Sequence, residues 1–395
     1  MTPPLIKCKT MHFTKLRYQD PATKTYLGSP SLARLANGDL LATHDYFGPG
    51  CPRNHEDEEH LTSVYRSSDD GQTWHNVTHI AGAFWSSLFT LDDVVYLIGA
   101  SQQYGSIVIR RSTDNGNTWT HPQNARSGLL FGGGPRHTPP NYHCAPVPLC
   151  FKDGWLFRAF EDNTPLDWPT GFQACVIFAY IEVDLLDAAN WTMSTKLPFD
   201  PVWLPAAWGP LTRAGWLEGN IIEDREGQLW NILRFNAQTA DGTGCAVWNK
   251  AAMVKIEDGG QRLTFDPTTG FIDLPGGHTK FTIRYDARSD RYLTISNGVA
   301  DVKQPSNRSE LSLYVSRDLR TWEHRAVLLA DDSRLPYMER CALIGFQYVD
   351  WQFDGDDLIY LSRTAYGGAH NFHDANRITF HRVRDFRRRF DFLPA

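Results

Sequence analysis

Ser67-Ser68-Asp69-Asp70-Gly71-Gln72-Thr73-Trp74 and Ser112-Thr113-Asp114-Asn115-Gly116-Asn117-Thr118-Trp119 spell one pattern twice, S-x-D-x-G-x-T-W. A shortened copy without the glycine runs from Ser316 to Trp322, and a more degraded relative from Asp184 to Trp191. Each position suits a hairpin turn. The Ser and Asp side chains can hold turn N–H groups, the Gly supplies a left-handed dihedral, and the Trp has the bulk to pack between sheets. A turn repeated along a chain marks a repeated supersecondary unit. Such a turn is architecture, so Asp69 and Asp114 are poor catalytic candidates.

Around each copy the same grammar recurs: strand, turn, strand, loop, strand, box, strand. Units begin near Ser29, Trp85, His143, Gly219, Lys280 and Gly345. Ala36-Asn37-Gly38-Asp39, Lys152-Asp153-Gly154 and Arg225-Glu226-Gly227 are hairpin signals, and helical periodicity is almost absent. The expectation is an all-β propeller of four-stranded antiparallel blades, with residues 1–395 as one domain. Six units are countable. A seventh blade built from residues 1–28 and the last strand, Arg377 to Phe386, would close the ring with both termini and leave no open sheet edge.

The 395 residues are 42% apolar and 21% charged, with a net charge of -6. This is ordinary for a soluble globular protein and leaves no basic footprint for nucleic acid. Thirteen Trp, 15 Tyr and 22 Phe favour a β-rich core and suit stacking on sugar rings. The seven cysteines have no C-x-x-C spacing, so neither a zinc site nor a disulfide framework is expected. The N-terminal MTPPLIKCKTMHF lacks an apolar signal core, and no run approaches the roughly 20 residues of a membrane span. The chain reads as soluble and without a membrane partner, cytoplasmic as it stands or secreted if a leader preceded it. The N-x-S/T sites at Asn76, Asn190 and Asn307 do not decide between these. A structural Ca2+ in a propeller's central channel would be held by carbonyls and leave no motif. No required cofactor and no oligomeric state can be read.

The densest chemistry lies between Arg136 and Glu161, RHTPPNYHCAPVPLCFKDGWLFRAFE. A hairpin brings its outer ends together, which predicts that Arg136, His137, Tyr142, His143, Arg158 and Glu161 meet. Blade geometry extends the prediction, because first strands begin and second strands end on one face near the axis. That face should carry His44, Glu218, Asn220, Arg234, His278, Lys280, Arg363 and Tyr366. Arg213, and His370 in the loop Gly368–Asn376, belong to its substrate-binding set. The result would be a basic, aromatic-lined pocket suited to an anionic substrate. His370 and His373 lack a third ligand, so no metal site is expected.

The repeated turn is similar to the Asp-box of sialidase-like propellers. Sialidases carry an Arg-Ile-Pro motif on the first strand, as part of an arginine triad, and a Tyr-Glu nucleophile pair. Here the corresponding stretch is Gly28-Ser29-Pro30-Ser31-Leu32, without Arg, which argues against that activity. YGSIVIRRSTDNGNTWT, NYHCAPVP, GWLFRAFED, WLEGN, GGHTKFTIRYD, GFQYVDW and AHNFHDANRITFHRVRDF resemble segments of a group of seven-bladed propellers. That group acts on L-rhamnose-α-1,4-D-glucuronate, the cap of arabinogalactan side chains and gum arabic. The resemblance implies seven blades and maps the group's strand-end His onto His44. The related ulvan lyases use a Tyr and an Arg sixteen residues apart, a spacing that Tyr142 and Arg158 reproduce. Their His residues on the preceding blade have no counterpart in AFWSSLF or LIGASQQ.

The resemblance therefore implies a polysaccharide lyase that removes rhamnose from glucuronate by β-elimination. Arg158 would neutralise the carboxylate, while Tyr142, His143 and His44 would move protons. Hydrolysis of the same linkage is the alternative, with Asp45, Glu161 and Glu218 as carboxylates. A non-catalytic binder of acidic glycans is the third reading.

Overall fold

The computed structural model of the chain describes residues 6–7, 13–239 and 247–392. Its strands form six sheets, each led by a strand that borders the leading strands of its neighbours. In the first blade Tyr26–Arg34 is innermost, followed outward by Leu40–Phe47, Leu61–Ser67 and His75–Ala81. The second runs Phe84–Leu91, Val94–Ala100, Ile107–Ser112 and Leu129–Phe131. In the third the inner position is shared by Tyr142–His143 and Cys150–Lys152, before Trp155–Asn163 and Phe172–Tyr180. The fourth begins with the long pair Leu211–Glu223 and Leu229–Thr239 and continues with Lys250–Glu257. The fifth is Thr282–Asp286, Arg291–Ser296, Glu310–Ser316 and Trp322–Ala330, with Ile6–Lys7 added in parallel. The sixth is Gly345–Asp354, Asp357–Ala365 and Arg377–Val383.

The blade number corrects the expectation of seven. The segment assigned to a seventh blade instead supplies Thr14–Tyr18, which pairs antiparallel with Arg377–Val383 as the outer strand of the sixth. The C-terminal unit has only three strands of its own, and the N-terminal strand takes the vacant edge. The six units countable in the sequence are the six blades.

The repeated boxes weld blade to blade. Asp69 accepts hydrogen bonds from the Ser67 hydroxyl at 2.7 Å and the Thr73 N–H at 2.8 Å, and Asp114 repeats this with Ser112 and Thr118. Trp74, Trp119 and Trp322 return their indole N–H to a turn carbonyl, on Gly71, Gly116 and Leu319. Even the degraded copy keeps this bond, from Trp191 to Leu185. Gly71 has φ +86° and faces Phe380 of the sixth blade so closely that a Cβ would overlap the ring. Each of the six seams between blades then has its own apolar cluster; Leu27, Ala42, Ile359 and Phe380 lie in the first-to-sixth seam. At about 1.5–3 kcal/mol per fully buried aliphatic or aromatic side chain, these seams supply the stability of the ring.

Four of the six inner strands share one irregularity, and it creates the site. Register shifts fall between Leu27 and Pro30, Phe84 and Ser87, Leu217 and Asn220, and Gln347 and Asp350. Trp85, Glu218 and Tyr348 occupy three of these bulges with φ of 50°, 57° and 49°. A left-handed bulky residue costs on the order of 1–3 kcal/mol. A bulge also turns its side chain off the strand's ordinary alternation.

Candidate functional site

The bulged residues open on one cavity of about 300 Å³, at the face where the inner strands begin. Its walls differ by side. The first three blades contribute Asp45, Phe47, Trp85, Tyr104, His143 and Phe172, while the last three contribute Glu218, Arg234, Arg308, Tyr348 and Arg363. One half is aromatic and the other is cationic.

Arg234 organises the cationic half. Its Nη1 donates to Glu218 Oε2 at 3.0 Å and to Tyr348 Oη at 3.3 Å, and its Nε donates to Asn236 Oδ1 and the His278 carbonyl. Burial works to raise the Glu218 carboxyl, but the adjacent Arg234 outweighs it and holds the group below its ordinary range. Arg363 lies 4.7 Å from the centre of the Tyr348 ring and donates to the His373 carbonyl at 2.7 Å. Arg308 lies 5.8 Å from the same ring and donates to Gln347. Neither Arg308 nor Arg363 has a carboxylate partner among the described residues, and the Nε of each is buried without an acceptor. Burial pushes the Arg308 guanidinium down to about 10 and lowers Arg363 as well.

Across the cavity, Asp45 Oδ2 accepts the Trp85 N–H at 2.7 Å, and Oδ1 is buried with no hydrogen-bond partner among the described residues. Burial raises this carboxyl to about 6 against the pull of Trp85 N–H and Arg363. Gly28 is glycine because a Cβ there would overlap the Asp45 carboxylate. His143 Nδ1 meets Glu161 Oε2 at 2.8 Å, and Glu161 Oε1 accepts the Gly219 N–H at 3.1 Å. The imidazole is thus tied through its far nitrogen, with its ring against Trp85 and Phe172.

The residues expected from the sequence separate into three groups. His143, Glu218, Arg234 and Arg363 line the cavity, and Glu161 stands directly behind His143. Others brace it from outside. His278 bonds the Pro305 carbonyl at 2.9 Å, Asn220 ties Phe281 to Ile283, and Lys280 donates to Thr282 and the Val349 carbonyl. Arg213 pairs with Asp167, Tyr366 with Asp332, and His370 with Asp374. His137 pairs with Glu58 at 2.8 Å, and the Arg136 N–H meets Glu56.

The third group departs from the expected convergence. His44 is fully buried between Tyr46 and Tyr65, bonded to the Asp45 carbonyl and Tyr65, and pushed down to about 3 by burial. Tyr142 lies in the seam between the second and third blades under the Lys196 ammonium. Arg158 runs inward to Ser87 and the carbonyls of Ala145 and Ala159. The reason is the two-residue period of a strand: Tyr142 and His143, or Arg158 and Glu161, point to opposite faces. Sequence reading missed Tyr348, Arg308, Trp85, Tyr104 and Trp168. One signal was present: Gly215-Trp216-Leu217-Glu218 and Gly345-Phe346-Gln347-Tyr348 share a frame in which the fourth residue faces the cavity.

Arg158 and Lys280, both buried near the axis, do not suit a Ca2+ ion there, and Asp350 Oδ2 is already engaged by Ser31 and the Leu32 N–H. Among the described residues, no three His, Cys, Asp or Glu side chains form a group that could hold a metal. Cys8 and Cys245 lie outside the described residues.

No protein-family model and no curated protein matches the sequence. Solved structures do resemble the fold. The α-L-arabinanase of Penicillium chrysogenum complexed with arabinobiose is 15% identical over 96% of this chain and 99% of that one, with a TM-score of 0.56. A Hadza microbial sialidase is 14% identical over 94% and 68%, at 0.57. A leech intramolecular trans-sialidase complexed with 2,7-anhydro-Neu5Ac is 12% identical over 95% and 70%, at 0.55. At these identities the likeness is one of fold. No helix in the described residues is long and apolar enough to cross a membrane.

Proposed function

We propose that this protein is a glycosidase that removes a carboxylate-bearing sugar from the end of a glycan. The observation that carries this reading is the pair Arg308 and Arg363, two buried guanidiniums on one cavity without a carboxylate partner among the described residues. A buried unpaired cation is costly, and a bound carboxylate offsets that cost with bidentate geometry. The volume of about 300 Å³ sits at the small end of ligand pockets and suits a single sugar residue. The resembling structures are glycosidases by name, which supports a glycan as the ligand.

Tyr348 is the nucleophile in this reading. A phenol tolerates an anionic sugar that would repel a carboxylate nucleophile, and tyrosine nucleophiles occur among glycosidases. Arg234 holds Tyr348 and Glu218 on one nitrogen. Glu218, ionised, accepts the phenol proton as the Tyr348 oxygen bonds to the anomeric carbon. The bond to the leaving oxygen breaks as Asp45 delivers its proton. Asp45 then takes a proton from water, the water oxygen displaces Tyr348, and Glu218 returns the phenol proton.

A second reading is favoured by His143, whose tie to Glu161 would suit a base. On a rhamnose-capped glucuronate, the arginines would neutralise the carboxylate, His143 would take the C5 proton, and the C4–O4 bond would break as Asp45 protonates the departing rhamnose oxygen. This is the lyase reaction implied by the sequence resemblance.

The test is turnover of 4-methylumbelliferyl α-N-acetylneuraminide, 4-methylumbelliferyl β-D-glucuronide and gum arabic, following released sugar and ultraviolet absorbance together. Hydrolysis should release an acidic sugar without a new double bond, and Tyr348→Phe should lower kcat by at least about 10²-fold. An unsaturated uronate would transfer the reading to elimination. Binding without any product would leave a lectin-like protein.

A further inference from the structure

The rest of the glycan must leave the cavity over its rim, since one sugar fills it. The six other aromatic side chains lining the cavity already have a partner. Phe47 faces Arg363, Phe84 and Tyr104 pack on Trp85, Phe172 meets His143, and Tyr348 lies beside Arg363. Trp168 differs. It borders the cavity from the third blade, is 40% exposed, and has no aromatic or cationic partner among the described residues.

The loop that carries this indole is held from several sides. The Asp167 N–H donates to Asn163 Oδ1 at 3.1 Å, and its carbonyl accepts the Gly171 N–H at 2.9 Å. Gln173 holds the Thr164 carbonyl at 2.7 Å. Arg213 of the fourth blade reaches across to the Asp167 carboxylate and the Trp168 carbonyl. Gly215 lets the loop lie against that blade, because a Cβ there would overlap the Pro169 carbonyl. With its backbone braced and its ring exposed, the indole stacks on a ligand without its loop having to be ordered first, which is the condition for a preorganised platform.

We infer that Trp168 is the platform for the sugar next to the scissile bond, and that the protein selects glycans in which a hexopyranose carries the acidic terminal residue. This rests on the glycosidase reading for its chemistry, but the contact itself is one of binding. The occupant is a pyranose because the cavity and the indole form one continuous surface, and a pyranose offers the flat C–H face that an indole stacks against. The Arg213–Asp167 pair is the brace that keeps the platform's loop in position.

Saturation-transfer NMR with 3′-sialyllactose and with β-glucuronyl-1,6-galactose tests this without requiring turnover. For whichever acidic sugar is retained, wild type should show transfer to the galactose ring protons. Trp168→Ala should lose that transfer while keeping transfer to the acidic sugar, and Trp168→Phe should restore it. Where the compound is also cleaved, Trp168→Ala should raise KM about 10-fold with kcat nearly unchanged, and the methyl glycoside of the same acid should be unaffected. Equal galactose transfer in wild type and Trp168→Ala, or none in wild type with either compound, overturns the platform. Absence of cleavage with the expected transfer pattern overturns the glycosidase reading and leaves the platform standing.

Discussion

At the scale of single residues, the site depends on charges kept out of water. Asp45 is the clearest case, since burial holds its carboxyl near 6 rather than 3.8. A folded-state value above the unfolded one means that the protonated form favours the fold. That contribution is complete below about pH 4 and is lost as pH rises through 6. Asp45→Asn should therefore be more stable than wild type at pH 8, by about 1–3 kcal/mol, as measured by urea unfolding. The same substitution removes the proposed acid. Wild-type turnover should fall as pH rises through about 6, and Asp45→Asn should lose most activity on substrates with poor leaving groups. Equal stability of the two proteins at pH 8 would mean that Asp45 is not desolvated as described.

At the scale of elements, two devices act together: a turn that welds blades and a bulge that aims side chains. The weld is tested at Gly71, where φ is +86° and Phe380 fills the space that a Cβ needs. Gly71→Ala should cost about 2–4 kcal/mol from dihedral strain and overpacking, read as a lowered denaturation midpoint. Gly38, with φ +88° and open space around it, is the control, and Gly38→Ala should cost only about 1 kcal/mol. A similar loss at both positions would remove the contact with the sixth blade from the explanation. The turns were legible because their chemistry is local and repeated. The bulges were not, because nothing in Leu217-Glu218-Gly219-Asn220 alone requires Glu218 to leave the strand's alternation. Tyr348 is hidden in the sequence for that reason, while the hairpin and the sixteen-residue spacing that point to Tyr142 and Arg158 do not say which face of the strand each side chain takes.

At the scale of the whole molecule, strands from near both ends of the described chain meet in the sixth blade, while Ile6–Lys7 lies on the fifth. Thr14–Tyr18 covers the edge of Arg377–Val383, so the sixth blade depends on residues far apart in sequence. Deleting residues 1–18 would expose that edge and leave Phe380 beside Gly71 less covered. The truncated protein should unfold at a lower temperature and self-associate in light scattering, while full-length protein should not. An unchanged melting temperature would show that the other three strands suffice.

The sequence by itself determined the all-β class, the repeating blade, the turn chemistry and the face that carries polar strand ends, because these follow from local patterns and a period of two. Tertiary structure alone decided that six blades close the ring, since that depends on which edge the N-terminal strand pairs with. It also decided which polar residues share a cavity. Arg234, Arg308, Arg363 and Tyr348 come from three blades, and only closure of the ring brings their charges close enough to act on one ligand.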